Sequence, residues 1–279
     1  MNQQVEMDLS AEGKGLKEIC DSAAEAVSES IKKMVGDPSS GTVMQMGADG
    51  TPTKEIDGRA EEAVIAVLER SGVSFAILSE EMGRKEIGDD PKYFLHLDPL
   101  DGTFNAISGI PFYSVSIYIS GPFCSLGYVF DLAHAVKFYA ERGRGAWTEF
   151  GGTKSLLAVS TTPTLYDFSV SAYTLRPNTG RIVGLGDVVR RIRTLGSTSL
   201  ELCLVAAGRL DAFVDLRGGL RLVDVAAGSL IVQEAGGIVT DGRGERIQFN
   251  GDMWQKAEFL ASNGLFHREI LDLIGGGRI

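Results

Sequence analysis

Apolar side chains recur at spacings of three and four near the start of the chain, which is typical of one buried helix face. They are Leu16, Ile19, Cys20, Ala23, Val27, Ile31 and Met34. The run Gly36-Asp37-Pro38 predicts the end of this helix. A second helix is predicted over residues 57–70, with Gly72 as its stop. The stretch 37–54 is rich in Gly, Ser, Asp and Pro and predicts a loop or short hairpin.

Two short apolar runs, 73–78 and 93–97, predict strands that end abruptly in acidic residues. Glu80 and Glu81 follow the first, and the string Asp98-Pro99-Leu100-Asp101-Gly102-Thr103 follows the second. Further strands are predicted at 114–120, 125–131 and 135–140, followed by a turn at 143–146. The Gly-, Lys- and Ser-rich segment 151–155 predicts a domain boundary.

The second half alternates between predicted strands and helices. Strands are predicted at 168–172, 193–195, 212–215 and 259–261. Helices are predicted between the first two strands and at 199–208, 223–235 and 266–274. This alternation predicts a largely parallel sheet covered by helices. We therefore expect an α+β domain over residues 1–155 and an α/β domain over residues 156–279.

Composition narrows the function classes. The 279 residues carry a formal net charge of -10 without a basic stripe, which disfavours nucleic-acid binding. The three cysteines are far apart and odd in number, so we expect buried, reduced thiols. The first ten residues are polar, and no apolar run approaches the roughly 20 residues needed to span a bilayer. We expect a cytoplasmic protein that binds no membrane.

Asp98 and Asp101 form the most informative pair of carboxylates. They are three residues apart around the turn at Pro99, and Gly102-Thr103 can begin a helix whose free amides face the same space. Such a site offers oxygen ligands to Mg²⁺ and amide donors to an anion. The same string is also good turn and helix-cap chemistry. A joint cluster with Glu80 and with Asp224, at the start of helix 223–235, would need a metal to offset its mutual repulsion.

Five segments together resemble the superfamily of inositol monophosphatases and fructose-1,6-bisphosphatases, especially its archaeal bifunctional branch. They are Gly47-Ala48-Asp49-Gly50-Thr51-Pro52-Thr53-Lys54-Glu55-Ile56-Asp57, Ser79-Glu80-Glu81, Asp98-Pro99-Leu100-Asp101-Gly102-Thr103-Phe104-Asn105, Leu195-Gly196-Ser197 and Asp224-Val225-Ala226-Ala227-Gly228. The resemblance covers nearly the whole chain. It departs at Val223, where many members have tryptophan. It implies a layered αβαβα sandwich, a homodimer, and two to three Mg²⁺ ions in each active site.

The resemblance also implies roles for individual residues. Glu80, Asp98 and the Leu100 carbonyl would hold one ion, and Asp98 would bridge to a second ion completed by Asp101 and Asp224. Glu80 would help to hold a third. Asp57 would pair with the Thr103 hydroxyl to orient or deprotonate the attacking water, and the amides of Gly102 and Thr103 would bind the phosphate beside Asp101.

Substrate recognition is implied for the second half of the chain. Asp215 matches a carboxylate that contacts substrate hydroxyls, and the loop from Gly196 through Ser197 to Thr198 matches one that lines the pocket. Tyr173 is a candidate wall. Several arginines could reach a second phosphate, with Arg193 and Arg217 preferred among Arg176, Arg191, Arg193, Arg217 and Arg221.

The sequence therefore predicts a magnesium-dependent phosphatase acting on fructose-1,6-bisphosphate, inositol-1-phosphate or both, through attack of activated water. A phosphatase for 3′-phosphoadenosine 5′-phosphate or NADP is the alternative within the same chemistry. A non-catalytic regulator that binds sugar phosphates is an alternative of another class, although the full acid set argues against it. Structural calcium sites are a weaker reading, since the EF-hand pattern is absent.

Overall fold

A computed structural model describes residues 8–48, 50–247 and 256–275. Residues 1–7 of the polar start and Asp49 of the first motif lie outside these ranges. The helices are α1 (Ala11–Ile31), α2 (Glu55–Arg70), α3 (Thr103–Ser108), α4 (Val183–Val188), α5 (Thr198–Ala206), α6 (Leu222–Glu234) and α7 (His267–Gly275).

The strands belong to a short hairpin, an eight-stranded sheet and a five-stranded sheet. In chain order they are β1 (Val43–Met46), β2 (Pro52–Lys54), β3 (Phe75–Ser79), β4 (Gly83–Ile87), β5 (Tyr93–Asp101), β6 (Ser114–Ser120), β7 (Ser125–Asp131), β8 (Val136–Glu141), β9 (Gly145–Phe150), β10 (Thr153–Leu156), β11 (Ser169–Tyr173), β12 (Arg191–Arg193), β13 (Ala212–Leu220), β14 (Ile238–Asp241) and β15 (Ala257–Ser262).

The first sheet has the order β10-β9-β8-β7-β6-β5-β3-β4. Its pairings are antiparallel except for β3 with β5, which run parallel and so end at the same edge. The segment 151–155, expected to be a boundary, contributes the turn and part of β10 in the β9–β10 hairpin. The last strand of this sheet ends at Leu156, and the second sheet begins at Ser169.

The second sheet has the order β12-β11-β13-β15-β14. The predicted largely parallel pairing is wrong for half of it. β11 pairs in parallel with β12 and β13, whereas β15 is antiparallel to both β13 and β14. The prediction placed only one strand, β15, after α6. In the structure β14 also follows α6, and β15 lies between β13 and β14, antiparallel to both.

Five layers follow from the packing of helices on these sheets. α1 and α2 cover one face of the first sheet, α5 and α6 lie between the two sheets, and α4 and α7 form the outer layer. Gly127 of β7 permits close contact with α6, because a Cβ there would lie 2.7 Å from the Ala227 carbonyl oxygen. The expected αβαβα sandwich is confirmed, and α6 is buried on all sides between the sheets.

Two further expectations concern the chain as a whole. Cys20, Cys124 and Cys203 are all buried and free, as predicted. Among the helices of the described ranges, none has the length and apolar character that a membrane span requires.

Candidate active site

Glu80 and Asp98 meet because β3 and β5 are parallel neighbours. Ser79, the last residue of β3, lies opposite Leu97, and the Glu80 amide donates to the Leu97 carbonyl at 3.1 Å. The residues that follow these positions, Glu80 and Asp98, are therefore delivered to the same edge of the sheet. Asp98 is buried, and one of its oxygens accepts a hydrogen bond from the Leu100 amide at 3.1 Å.

Asp224 reaches this edge from the first turn of α6. It is the third residue of the helix rather than its first, and its carboxylate accepts the backbone N–H of Arg221 at 2.6 Å. This contact caps the helix and fixes the carboxylate. Oxygen atoms of Glu80, Asp98 and Asp224 all lie within 4.8 Å of one another. The structure therefore brings together three of the four acids expected at a metal centre.

Asp101, the fourth acid, lines the same cavity but faces the second half of the chain. Its Oδ2 accepts hydrogen bonds from the Ser197 hydroxyl at 2.7 Å and the Ser199 amide at 2.6 Å. These bonds tie the end of β5 to the start of α5. The cavity, of about 390 Å³, is also lined by Leu100, Gly102, Thr103, Leu175, Thr198, Arg217, Gly219, Leu220 and Arg221.

Burial and mutual repulsion dominate the electrostatics of these acids. Burial and then the Asp224 carboxylate raise the pKa of Glu80 to about 8. Burial, with repulsion from Glu80, raises the pKa of Asp98 well above its ordinary value. Burial raises the pKa of Asp101 to about 6, although the bonds from Ser197 and Ser199 oppose that rise. The cluster is thus short of positive charge, which a divalent cation would supply.

Arg221 supplies part of that positive charge. Its Nη2 lies 2.5 Å from Glu80 Oε1 and 2.8 Å from Asp224 Oδ1, and its side chain is 11% exposed. Asp224 and Glu80 raise the pKa of Arg221 further above its ordinary value, against the opposing effect of burial. A single guanidinium group therefore bridges an acid from the first half of the chain and one from the second.

Asp57 and Thr103 form a second functional pair at the cavity. Thr103 Oγ1 donates to Asp57 Oδ1 at 2.8 Å and lies 3.1 Å from the Leu100 carbonyl oxygen. Asp57 is the third residue of α2, and its other oxygen accepts the Lys54 amide at 3.2 Å. Burial raises the pKa of Asp57. The hydrogen bonds from Thr103 and Lys54 oppose this rise, but burial prevails and makes the carboxylate a stronger base than an exposed one.

Gly102 makes the turn from β5 into α3. Its φ of +97° is in the left-handed region, and a Cβ there would lie 3.0 Å from the Phe112 carbonyl oxygen and 3.1 Å from that of Gly196. Asn105 closes the same junction, because its Nδ2 donates to the Phe112 and Leu195 carbonyls, each at 2.8 Å. The turn at Gly102 and the loop before α5 are thus held together.

Only some of the residues expected to determine substrate specificity line the cavity. Arg217 lines the cavity, as does Thr198. Asp215 is fully buried, and both of its oxygens accept hydrogen bonds from Arg217, so it positions that arginine; its predicted contact with substrate hydroxyls stays a prediction. Arg193 lies on the exposed strand β12 and donates to the adjacent Ile192 carbonyl, away from the cavity lining.

Tyr173 and Ser197 do not line the cavity themselves but contact residues that do. The Arg217 guanidinium stacks 4.5 Å above the Tyr173 ring, and the Tyr173 hydroxyl donates to Glu201 and accepts the Gly196 amide at 2.6 Å. Ser197 caps α5 and is fully buried. The sequence analysis assigned no role to Glu201 or Asn105. The available signals were the position of Glu201 as the one charged residue of α5 and that of Asn105 at the end of the segment that begins at Asp98.

A larger cavity of about 960 Å³ lies beside α7 and β15. Two ion pairs lie in its lining, with Arg181 bonded to Glu258 and Arg268 Nε 3.2 Å from Asp272 Oδ1. In the ranges that the structure describes, the only grouping of three or more potential metal ligands is Glu80, Asp98 and Asp224. The chemistry therefore belongs to the smaller cavity.

The layered fold, the clustered acids and the threonine–aspartate pair together form the arrangement expected of the superfamily of inositol monophosphatases and fructose-1,6-bisphosphatases. Comparison with known proteins agrees: the chain belongs to the inositol monophosphatase family, whose model matches residues 14–275.

Relatives with assigned names share much of the chain. It is 38% identical to the fructose-1,6-bisphosphatase/inositol-1-monophosphatase of Methanothermobacter thermautotrophicus, over 90% of this chain and 93% of that protein. It is 36% identical to the bifunctional NADP phosphatase/NAD kinase of Methanococcus maripaludis, over 90% of this chain but 48% of that protein. The chain thus spans about half the length of that bifunctional relative.

Solved structures show the same fold. The MJ0109 gene product, an inositol monophosphatase–fructose 1,6-bisphosphatase, superposes with a TM-score of 0.82 at 27% identity, covering 92% of this chain and 98% of that one. A Pyrococcus horikoshii protein with similarities to inositol-1 monophosphatase superposes with a TM-score of 0.79 at 31% identity, covering 94% and 97%.

Proposed function

We propose that this protein is a magnesium-dependent phosphatase that hydrolyses fructose-1,6-bisphosphate and inositol-1-phosphate. The observation that carries the proposal is the convergence of Glu80, Asp98 and Asp224, with oxygens within 4.8 Å, in the cavity that also holds Thr103. The names of the relatives support the two substrates.

The donor set fits magnesium. All three clustered groups are carboxylates, and hard oxygen ligands in this number, with room for water and phosphate oxygens, suit Mg²⁺. Glu80, Asp98 and Asp224 would hold the ions, with Asp101 and the Leu100 carbonyl at the border of the same cavity. Two to three ions would be accommodated. When bound, they would lower the pKa of water and neutralise charge on the phosphoryl group.

Asp57 and Thr103 would handle the proton of the attacking water. The Thr103 hydroxyl donates its hydrogen to Asp57, so its free lone pair is left to accept a hydrogen bond from water in the cavity. The raised pKa of Asp57 favours its taking up a proton as the water attacks. The pair therefore orients the nucleophile and accepts its proton.

Substrate would enter between Thr103 and Arg217. Gly102 and Thr103 present the start of α3 to the cavity, where their amides can donate to phosphate oxygens. Thr198 also lines the cavity, and the hydrogen bond from the neighbouring Ser197 to Asp101 fixes its position. Arg217 presents a guanidinium whose counter-ion, Asp215, lies behind it. A second anionic group on the substrate would be bound there.

NADP is a second candidate substrate. The support is the identity of 36% and 31% to two proteins named bifunctional NADP phosphatase/NAD kinase. 3′-Phosphoadenosine 5′-phosphate would use the same departing-phosphate chemistry. A non-catalytic binding role is disfavoured, because Glu80, Asp98, Asp101, Asp224, Asp57 and Thr103 are all present.

Phosphate release at fixed Mg²⁺ tests these assignments directly. We would compare fructose-1,6-bisphosphate, inositol-1-phosphate, 3′-phosphoadenosine 5′-phosphate and NADP by kcat/KM. The first two should be hydrolysed, with loss of activity when Mg²⁺ is chelated. Preference for an adenosine phosphate by more than about tenfold, about 1.4 kcal/mol, would reject the first choice. Release from none of them would favour the binding role.

The family resemblance also leads us to propose a homodimer in the cytoplasm. Light scattering during size-exclusion chromatography would test the dimer, for which the expected mass is twice that of the 29.9 kDa chain. The net charge of -10 supports the expectation that nucleic acid is not a partner.

A further inference from the structure

Arg221 occupies an unusual position for a cationic side chain, inside a proposed centre for cations. Its Nη2 contacts Glu80 Oε1 at 2.5 Å and Asp224 Oδ1 at 2.8 Å, and its Nε lies 3.2 Å from Asp224 Oδ2. Glu80 and Asp224 both belong to the cluster whose oxygens could hold a metal ion. The guanidinium and a divalent ion therefore draw on the same two carboxylates.

We propose that Arg221 is an internal counter-cation that competes with the divalent ion for Glu80 and Asp224. This inference rests on the proposed function, since it presumes that the acids bind metal. In the metal-free protein, Arg221 holds the two acids together and offsets their repulsion. It must release Glu80 and Asp224 before a divalent cation can take those oxygens. Metal affinity is then set partly by the strength of the Arg221 contacts.

The helix cap does not require this side chain. The contact that caps α6 is made by the Arg221 backbone N–H, which donates to Asp224 Oδ2 at 2.6 Å. The guanidinium adds a link to Glu80, which follows β3 in the other half of the chain. Its role is therefore electrostatic and lies between the two halves, and any residue except proline, which lacks the N–H, would leave the backbone cap in place.

Release would leave Arg221 inside the same cavity. Its backbone is tied to Asp224 by the cap, and the residue lines the space shared with Gly102 and Thr103. A guanidinium freed from carboxylates there is a suitable bidentate partner for phosphate oxygens. When metal ions bind, the Arg221 guanidinium would thus move from the metal-binding carboxylates to the phosphate of the substrate. Through this movement it would couple metal binding to substrate binding.

Arg217 provides a matched control. It carries the same charge and lines the same cavity, but its guanidinium is bonded to Asp215, outside the acid cluster. Arg217→Met therefore removes one positive charge from the cavity without freeing Glu80 or Asp224. Any general electrostatic gain in cation affinity appears in both methionine variants, whereas relief of competition appears only in Arg221→Met.

The test measures metal binding without substrate. Chelator-treated wild type, Arg221→Met, Arg221→Lys and Arg217→Met would be titrated with Mn²⁺ and Mg²⁺ by calorimetry, with thermal melting at each end point. We expect Arg221→Met to bind Mn²⁺ at least about tenfold more tightly than Arg217→Met, the factor that 1.4 kcal/mol represents. It should melt lower than wild type without metal and gain more from metal addition. The Mn²⁺ affinity and melting temperature of Arg221→Lys should lie between those of the wild type and of Arg221→Met.

A measurement on the wild type keeps the proposal testable if the methionine variant folds poorly. The Nε–H resonance of Arg221, assigned by its loss in Arg221→Lys, should shift when Mg²⁺ saturates the centre. An unchanged resonance, or equal or weaker metal affinity in Arg221→Met than in Arg217→Met, would overturn the competition while leaving the phosphatase proposal intact. Failure of the wild type to bind either metal would overturn both.

Discussion

The Thr103 hydroxyl lies 2.8 Å from Asp57 Oδ1, although these residues lie in the first turns of different helices and are 46 positions apart in the chain. α2 and α3 pack against each other, and Thr103, at the start of α3, lines the cavity. Asp57 is held by the Lys54 amide and Thr103 by the turn at Gly102. The pair is therefore rigid before substrate arrives, as proton transfer to a positioned base requires.

Replacement of Thr103 by alanine should slow chemistry without removing the metal. We expect Thr103→Ala to lower kcat about 10²- to 10³-fold, in the range for loss of positioned proton transfer. Thr103→Ser retains the hydroxyl and is the matched control, with kcat reduced much less. Steady-state kinetics and Mn²⁺ calorimetry would separate the effects. An alanine variant with wild-type kcat would remove Thr103 from the mechanism.

Asp98→Asn should abolish turnover and alter stability in opposite directions with and without metal. In the metal-free protein, the neutral amide removes repulsion among buried acids, so the melting temperature should rise. At [Mg²⁺] of 100 Kd, the wild type should gain about 2.7 kcal/mol and the variant much less. Asp90→Asn, at an exposed turn residue, is the control for substitution alone. Near-normal kcat, or an undiminished stabilisation by Mg²⁺, would contradict the role of Asp98.

The acid cluster could be predicted from sequence because its elements have strong local signals. Buried apolar runs locate β3 and the first part of β5, and Glu80 follows β3 directly. Asp98 and Asp101 lie within β5, which continues through Pro99 where a turn was predicted, with an irregular register between the two acids.

The strands that were missed have weak signals for a physical reason. β4 and β14 are edge strands, and β10 is an edge strand with all four residues exposed, so none needs a continuous apolar pattern. β9 was also missed although it is internal, and the turn predicted at 143–146 is wrong for Gly145 and Ala146, which begin this strand.

The pairing of charged side chains in the second half of the chain could not be predicted from the sequence. The sequence did not indicate that Asp215 and Arg217 pair with each other, which they do where the pairing of β13 becomes irregular after Asp215. Arg221 was one of several available arginines, and only the packing of α6 against the end of β5 places it beside Glu80. Such contacts depend on tertiary structure, because residue spacing does not report which charged groups share a cavity.

Lowering the pH should reduce the contribution of His267 to the free energy of unfolding. Burial lowers the pKa of this histidine to about 4, from the ordinary 6.5, while its ring is bonded to Ser262 and Thr240. Below pH 6.5 the unfolded chain takes up a proton that the folded protein refuses, so this contribution to stability falls until about pH 4. The loss is at most roughly 3 kcal/mol.

Comparison with His267→Asn isolates this effect, because both proteins share the acidic cluster, which titrates with the opposite sign. The free energy of unfolding would be measured by urea titration in chelator from pH 7 to pH 4. The wild type should be more stable at pH 7, and its advantage should shrink as the pH falls. An advantage that stays constant across this range would show that His267 is not held neutral.

Gly102→Ala should be more damaging than its backbone angle alone explains. The left-handed conformation costs an L-residue about 1–2 kcal/mol, and the close Phe112 and Gly196 carbonyls should add about 1–3 kcal/mol. Gly143→Ala is the matched control, since Gly143 has a φ of +75° but open space around it. Urea unfolding should show the larger loss for Gly102→Ala. Equal losses would mean that the close approach of the two halves is not needed there.

Arg217 should distinguish substrates by their second anionic group. Asp215 and the Tyr173 ring hold its guanidinium at the cavity, so its position is fixed before binding. Fructose-1,6-bisphosphate has a second phosphate, whereas inositol-1-phosphate has only the one that leaves. Arg217→Met should therefore raise KM for the bisphosphate by about tenfold or more, the value of one charge-assisted bond, and leave inositol phosphate much less affected. Arg142→Met, in the exposed turn after β8, should change neither KM. If both substrates lose equally in Arg217→Met, the arginine shapes the cavity and does not read the second phosphate.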